Sequence, residues 1–435
     1  MKLVPHTGVL LALLMDSAGF VRAQAGPPAN SSQGKAAGSQ PAIYDTIEAG
    51  ETDAEVPARR LVSWNEYEGP YFSIRGGGGF LIDYAAFAQD DESKQQIAVE
   101  PKGQLRDARA LFKGKLNFIK SRSVTWSAGI MWNGPTHNWQ FRQTGVMIDL
   151  PEVWGSIFVG RTKEGISLNK IMVGYHGWTS ERATANDAML PILADGIKWL
   201  GYSQKLHLVW NVGFFGDWLS KGLAFSTYHR QAVGRAAYVK FLSPTGGTLL
   251  HVGAGYRYGV PNEGTIRLRS RPEVYPAPYF LDTGSFAAKN TKMLVSEIYY
   301  RTGPWLFGSE YMIQKANAPT SGNPIFHGGE WLASWIATGE TRPYNIRGGY
   351  FGAVSPKRTV FEGGPGAWEL VTRFSYTDLD SGTLKGGKFW RFTPMVNWHL
   401  SDNVRLEMSY GIGTLDRFNL RGTAQMFQTR LQLTL

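Results

Sequence analysis

The 435-residue sequence has no cysteine, which rules out disulfides, thiolate nucleophiles and thiolate metal sites. Past its first 25 residues it also has no run near the roughly 20 apolar residues that a membrane-crossing helix needs. Charged residues make up 18% of the chain, less than the roughly 25% usual in soluble proteins. The eight histidines are scattered, with no His-x-x-x-His or comparable metal-ligand spacing. No nucleophile elbow or Walker sequence surrounds Ser180-Glu181 or the run Gly76 to Gly79. These absences argue against an enzyme and imply no cofactor. Zinc-finger spacings, RNA-binding aromatic motifs and basic helices are missing too, so the net charge of +10 does not signal nucleic acid.

What is plentiful is glycine (52) and aromatic residues, with Trp 15, Tyr 19 and Phe 23. That mixture suits many strands joined by tight turns. The opening, "MKLVPHTGVLLALLMDSAGFVRAQA", reads as a signal peptide over residues 1–25. Lys2 supplies the positive start, Val9 to Met15 the apolar core, and Ala23-Gln24-Ala25 the small-x-small cleavage site. An uncleaved anchor is the alternative. Residues 26–69, rich in Ala, Gly, Ser and Pro, read as a flexible N-terminal segment.

From Tyr71 onward the period is two. Val404, Leu406, Met408, Tyr410 and Ile412 alternate with Arg405, Glu407, Ser409 and two glycines. Trp390, Phe392, Val396 and Trp398 alternate with Arg391, Thr393 and Asn397 in the same way. A soluble sandwich shows this pattern as well. However, many of these segments reach ten residues or more, and they end in aromatics such as Trp154, Trp199, Tyr299, Tyr300, Trp305 and Trp398. Those are the lengths and endings of lipid-spanning strands. In hydrocarbon such strands must close on themselves, since no edge can stay unpaired. The expected fold is therefore all-β, a transmembrane antiparallel β-barrel of 16 strands over residues 70–435, in the bacterial outer membrane. Short connections such as 203–205 and 302–304 alternate with long ones such as 163–195 and 260–291, and 339–365 is a long connection on the short-turn side.

The stretches "RLRSRPEVYPAPYFLDTGSFAAKNTKMLVSEIYYRTGPWLFGSEYM" and "ATGETRPYNIRGGYFGAVSPKRTVFEGGPGAWELVTRFSYTDLD" resemble the phosphate-selective porins O and P of Gram-negative outer membranes. "VGRTKEGISLNKI", "SERATAND" and "FQTRLQLTL" extend the resemblance over nearly all of residues 70 to 435. It implies a homotrimer of barrels whose third loop, near 163–195, folds inward, with a basic channel for phosphate or polyphosphate. The third-loop segment offers Lys163, Lys170 and Arg182 but also Glu164, Glu181, Asp187 and Asp195. That mixture favours general anion preference over exclusive phosphate binding.

Three further basic sets are candidates for the anion path. Arg267, Arg269 and Arg271 stand at two-residue spacing and so share one face of an extended chain. They could form a ladder at the outer mouth, pair with acidic neighbours, bind lipopolysaccharide phosphate at the rim, or sit in a solvated loop. Arg109, Lys113 and Lys115 share a face opposite Ala108, Ala110 and Phe112, and Arg235 follows the same alternation. Charge on the lipid face costs about 2–4 kcal/mol at mid-membrane, so the lumen is the cheaper home for these residues. Expected partners are small anions such as phosphate, outer-membrane lipid and lipopolysaccharide. A structural barrel with a narrow pore that anchors an envelope protein is the alternative function.

Overall fold

The computed structural model describes residues 65–119, 121–133, 137–218, 228–243 and 247–435. The expected signal peptide and nearly all of the expected flexible segment lie outside these residues. The first half of the wall comprises β1 (Ser73–Gln89), β2 (Lys102–Lys115), β3 (Val124–Asn133), β4 (Asn138–Phe141, resumed at Thr144–Leu150), β5 (Gly155–Thr162), β6 (Ala194–Ser203), β7 (Leu208–Gly216) and β8 (Tyr228–Phe241). The second half comprises β9 (Thr248–Pro261), β10 (Asn290–Thr302), β11 (Trp305–Asn317), β12 (Ile325–Ile336), β13 (Ala367–Ser381), β14 (Leu384–His399), β15 (Val404–Arg417) and β16 (Leu420–Thr434). The sixteen expected strands are all present. A short strand, Glu66–Glu68, pairs onto the start of β1.

Each strand pairs antiparallel with its sequence neighbours. β1 also pairs with β16, from Gly79 opposite Thr434 to Gln89 opposite Ala424, so the wall closes on itself. Its burial pattern is the reverse of a soluble sandwich. In β15, Arg405, Glu407 and Ser409 are 4%, 0% and 5% exposed, whereas Met408 and Tyr410 are 36% and 49% exposed. The apolar face therefore looks outward to lipid and the polar face into the lumen. An aromatic girdle marks the short-turn end, where ring centroids lie 5.3 Å apart for Trp199–Trp210 and Trp305–Trp335 and 4.9 Å apart for Trp368–Trp398. Tyr299 departs from the expectation. It faces the lumen, fully buried against Trp178, Phe351 and His251, because its parity along β10 is opposite to that of Tyr300.

Three connections fold into the barrel. The segment 163–193 is held by a row of carboxylates, since Glu297 of β10 stands opposite Glu310 of β11, and Glu310 opposite Glu330 of β12. Glu310 accepts from Ser167 Oγ at 2.7 Å and from Asn186 Nδ2 at 2.9 Å, Glu297 accepts from the Leu168 N–H at 2.9 Å, and Glu330 accepts from Asn169 Nδ2. From the outer end, residues 262–289 pack Ile266, Leu268, Val274 and Phe280 among the inward-facing Met293, Met312 and Phe389. From the short-turn end, residues 337–366 bury Tyr344, Tyr350 and Phe351 against Leu168, Trp178 and Tyr299. Arg342 fixes this last segment by donating to His176 O at 2.8 Å and to both oxygens of Glu369 at 2.7 and 2.8 Å. Its hairpin reaches Asp149 of β4 through Arg347 at 3.9 Å. That is the far side of the barrel from β12, which explains why so long a connection stands on the short-turn side.

Gly79, in the glycine run of β1, shows how closely the third-loop segment is seated. A Cβ placed there would lie 2.3 Å from the Tyr175 ring, so any larger residue must push the loop off the wall. Gly79→Val should destabilise the barrel by about 1–3 kcal/mol through overpacking and expose residues 163–193 to protease. Protection equal to the wild type in limited proteolysis would show that the loop is not seated through Tyr175.

Candidate functional site

The loop 262–289 is built as a twisted hairpin in which Thr265–Ile266 pairs with Phe286–Ala287 and Arg269–Ser270 with Leu281–Asp282. The two-residue alternation persists through it. Ile266, Leu268 and Ser270 point into the packed side, while Arg267 and Arg269 are exposed and Arg271 is half-buried. Arg267 is held by Asp282, its Nε donating to Oδ1 at 2.8 Å. Arg269 and Arg271 are held differently. The Arg269 guanidinium lies 4.2 Å from the centre of the Tyr279 ring and that of Arg271 4.3 Å from it. Arg271 also lies 4.7 Å from the Tyr275 ring, and Arg106 of β2 lies 3.5 Å from the same ring. The result is a stack, Arg269–Tyr279–Arg271–Tyr275–Arg106, that runs from the outer loop to the barrel wall. Cation–π contact holds the faces of the guanidinium groups. Among the described residues Arg269 has no hydrogen-bond or ion-pair acceptor, and the side chain of Arg271 donates only its Nε, to Ala277 O at 2.9 Å.

At its inner end the stack meets the third-loop segment. Arg106 Nε lies 3.0 Å from Glu181 Oε1, and the same oxygen lies 2.5 Å from Arg430 Nη2 of β16. Arg430 also binds Asp83 through Nε at 2.6 Å, and Arg109 binds Asp107 at 2.6 Å. Arg106, Arg109, Arg182 and Arg430 converge with Asp107 and Glu181 around a narrow polar pocket of about 50 Å³, with Asp83 behind Arg430. Four guanidinium groups face two carboxylates. Burial would raise the Glu181 carboxyl, but Arg106 and Arg430 outweigh it and hold the group down at about 2.

The residues singled out from the sequence fall into different places. Arg267, Arg269 and Arg271 do share a face, with Arg269 and Arg271 in the stack. Arg109 and Arg182 reach the pocket, although Arg182 also donates to Asn169 O at 2.8 Å and to Met172 O at 2.9 Å within its own loop. Lys163 and Lys170 are buried, with their ammonium groups on backbone carbonyls, Met172 O at 2.7 Å and Leu190 O at 3.4 Å. Arg235 is buried between Glu297, at 2.6 Å, and Gly349 O, at 2.8 Å, far from the stack. Lys113 is half-buried on the wall, and Lys115 lies exposed at the short-turn end of β2. Sequence reasoning missed Arg106, Tyr275 and Tyr279. The signal for Arg106 was the adjacent pair Arg106-Asp107, which breaks the alternation. A bulge makes Arg106 the extra residue where pairing steps from Asp107 to Leu105.

A closed sixteen-stranded wall, apolar outside and polar inside, with loops folded into its lumen, defines an outer-membrane porin. The family is specific as well: the chain belongs to the phosphate-selective porin O and P family, whose profile matches residues 75–435. Among the described residues no cluster of three His, Asp or Glu suits a metal. An uncharacterized protein of Caulobacter vibrioides is 32% identical over 184 residues, 41% of this chain and 36% of that protein. Porin O of Pseudomonas aeruginosa is 24% identical over 219 residues, 43% of this chain and 49% of that protein. The match thus spans less than half the length of either relative. In fold the chain is similar to OmpT of Vibrio cholerae (TM-score 0.52, 10% identity, 85% of this chain and 100% of that one). It is similarly close to an anion-selective porin from Comamonas acidovorans (TM-score 0.51, 13% identity, 84% and 100%).

Glu181 is the acid shared by Arg106 and Arg430, so Glu181→Gln should raise the pocket's positive potential. We expect the anion-to-cation permeability ratio, read from reversal potentials, to rise by about twofold. A ratio that stays the same would place the pocket off the conducting path. Because its carboxyl is held at about 2, the contribution of Glu181 is complete above the ordinary carboxylate range near 4.5. It fades only as pH falls toward 2, so the effect of the substitution should persist at pH 5.

Proposed function

We propose that the chain forms a water-filled, anion-preferring channel for passive diffusion of phosphate and other small anions across the outer membrane. The observation that carries this reading is the stack, in which Arg269 and Arg271 are fixed through their faces while most of their N–H edges have no protein acceptor. Sites of this kind draw an anion inward without trapping it, which is what conduction requires. The printed names of two similar proteins, Porin O and an anion-selective porin, point the same way. Carboxylates share the pocket with its guanidinium groups, so the reading is general anion preference rather than exclusive phosphate binding. In this reading residues 1–25 are the export signal, and the functional unit is a homotrimer in which part of the outward aromatic wall packs against neighbours.

A second reading is a structural barrel with a narrow or blocked pore that anchors an envelope partner. The apolar clusters that close much of the lumen from both ends favour it. Conduction separates the two. In planar bilayers the wild type should pass anions in preference to cations. That preference should weaken as the Debye length falls from about 10 Å at 0.1 M salt to about 3 Å at 1 M. Replacing Arg267, Arg269 and Arg271 together by Gln should lower the permeability ratio severalfold. Absence of channel activity in the folded wild-type protein would favour the structural reading. An unchanged ratio in the triple variant would move selectivity away from the outer mouth.

A further inference from the structure

The outer face of the barrel carries a second basic feature, on the side of the wall away from the lumen. Lys292 of β10 stands directly opposite Lys315 of β11, and both are exposed on the side that carries Leu294 and Ile313. Like charges directly opposite on neighbouring strands destabilise a sheet unless something lies between them. Neither lysine has a carboxylate within ion-pair distance among the described residues. Lys388, an outward lysine on β14, makes the contrast, because Asp378 neutralises it at 3.1 Å.

The position of the pair along the barrel indicates what neutralises it. Ten residues further along β10, Thr302 faces Trp305 at the aromatic girdle of the short-turn end. At about 3.4 Å per residue and a strand tilt of about 40°, that separation is about 26 Å across the membrane. It equals the height of the apolar band of an outer-membrane barrel, about 25 Å. The lysines therefore lie at the opposite interface, the outer leaflet, at the level of the lipid headgroups. Tyr258 on β9 is in register with Lys292, and a tyrosine at that level is usual. Beyond the pair, Asn290 faces Asn317, and their side-chain amides have no hydrogen-bond partner among the described residues. With Asn323 these groups line an outward-facing pocket of about 300 Å³. Two ammonium groups and several amide donors around one pocket match the oxygens of a phosphate.

We propose that Lys292 and Lys315, with Asn290 and Asn317, form a binding site for the phosphorylated headgroup of an outer-leaflet lipid. The phosphate lies between the two ammonium groups and removes their repulsion, while the acyl chains lie along Leu294, Ile313 and Ile325. The site is independent of pore selectivity, so the two can fail separately.

The test uses full-length mature protein in non-ionic detergent, titrated with bisphosphorylated lipid A and followed by native mass spectrometry. Lys292→Gln/Lys315→Gln should bind the lipid about tenfold more weakly, and Lys388→Gln should stay within about twofold of wild type. Fully dephosphorylated lipid A should bind the wild type as weakly as the phosphorylated lipid binds the double variant. Should the double variant lose its heat-resistant folded form on gels, Lys315→Gln alone should show an intermediate loss. Equal binding by wild type and variant, or equal binding of the two lipids, would overturn the proposal. Displacement of the lipid by equimolar inorganic phosphate would also overturn it, by assigning the site to free phosphate.

Discussion

Most of this structure depends on the rule that a backbone in hydrocarbon must satisfy its own hydrogen bonds. Because β1 finds β16 as well as β2, the wall closes on itself and its described strands pair on both sides along most of their length. Closure then fixes what each residue can be. Outward positions meet acyl chains, so Leu294 and Phe214 are 60% and 70% exposed without penalty, and inward positions become the place for charge. A lumen lined in this way could be left to water. Here instead much of it is filled, and Arg391, only 1% exposed, donates to Pro272 O at 2.7 Å on an infolded loop.

Filling the lumen with chain has an electrostatic consequence. A charge removed from water is costly unless it is paired and hydrogen-bonded, so the basic residues inside the barrel are matched to acids or carbonyls at the points where loops meet the wall. Arg257 takes Glu164 at 2.7 Å, Arg342 takes Glu369, and Arg373 takes Glu273 at 2.5 Å. Several of these pairs join an infolded segment to a strand far away in sequence, so they fix where the segments lie rather than what the pore attracts. The mixed charge of residues 163–193 follows from this. Glu164 holds the loop to β9, whereas Glu181 holds it to β2 and β16.

The wall was legible in the sequence because its period of two is imposed residue by residue. Arg405, Glu407, Arg430 and Gln428 all proved to be lumen-facing, as alternation with Leu406, Met408 and Phe427 requires. The infolded segments were far less legible, because their contacts join residues more than a hundred positions apart, such as Ser167 with Glu310, and no local period records them. Tyr299 illustrates the limit. Adjacent to Tyr300 it reads as girdle, yet its parity sends it to the lumen, where the segment 337–366 covers it. Lys163 and Lys170 illustrate it again, since a lysine in a loop reads as solvated until the loop is seen to enclose it. Arg267, Arg269 and Arg271 were legible as a face, but the tyrosines between them and the wall were not.

Alternation therefore tells which side a charge faces but not whether that charge is available to a passing ion. The difference lies in how each guanidinium is held. Where a carboxylate grips the edge, as at Arg342 and Glu369, the terminal N–H donors are already engaged and an anion must compete with a buried counter-charge. Where an aromatic ring covers the face, as at Arg269 and Arg271, the positive charge is kept in place without an acid, and apart from the Nε of Arg271, which donates to Ala277 O, the donors have no acceptor among the described residues. A tyrosine ring holds an arginine through its quadrupole alone, so the local field stays positive instead of being cancelled. Positioning and neutrality are thereby separated within the barrel. The buried pairs are rigid and close to neutral, and the Arg–Tyr stack is equally well positioned but keeps its charge. An anion moving along the stack would exchange one guanidinium edge for the next at about the same depth, which keeps any single site from becoming a trap. It would then reach Arg106, where Glu181 first offers competition.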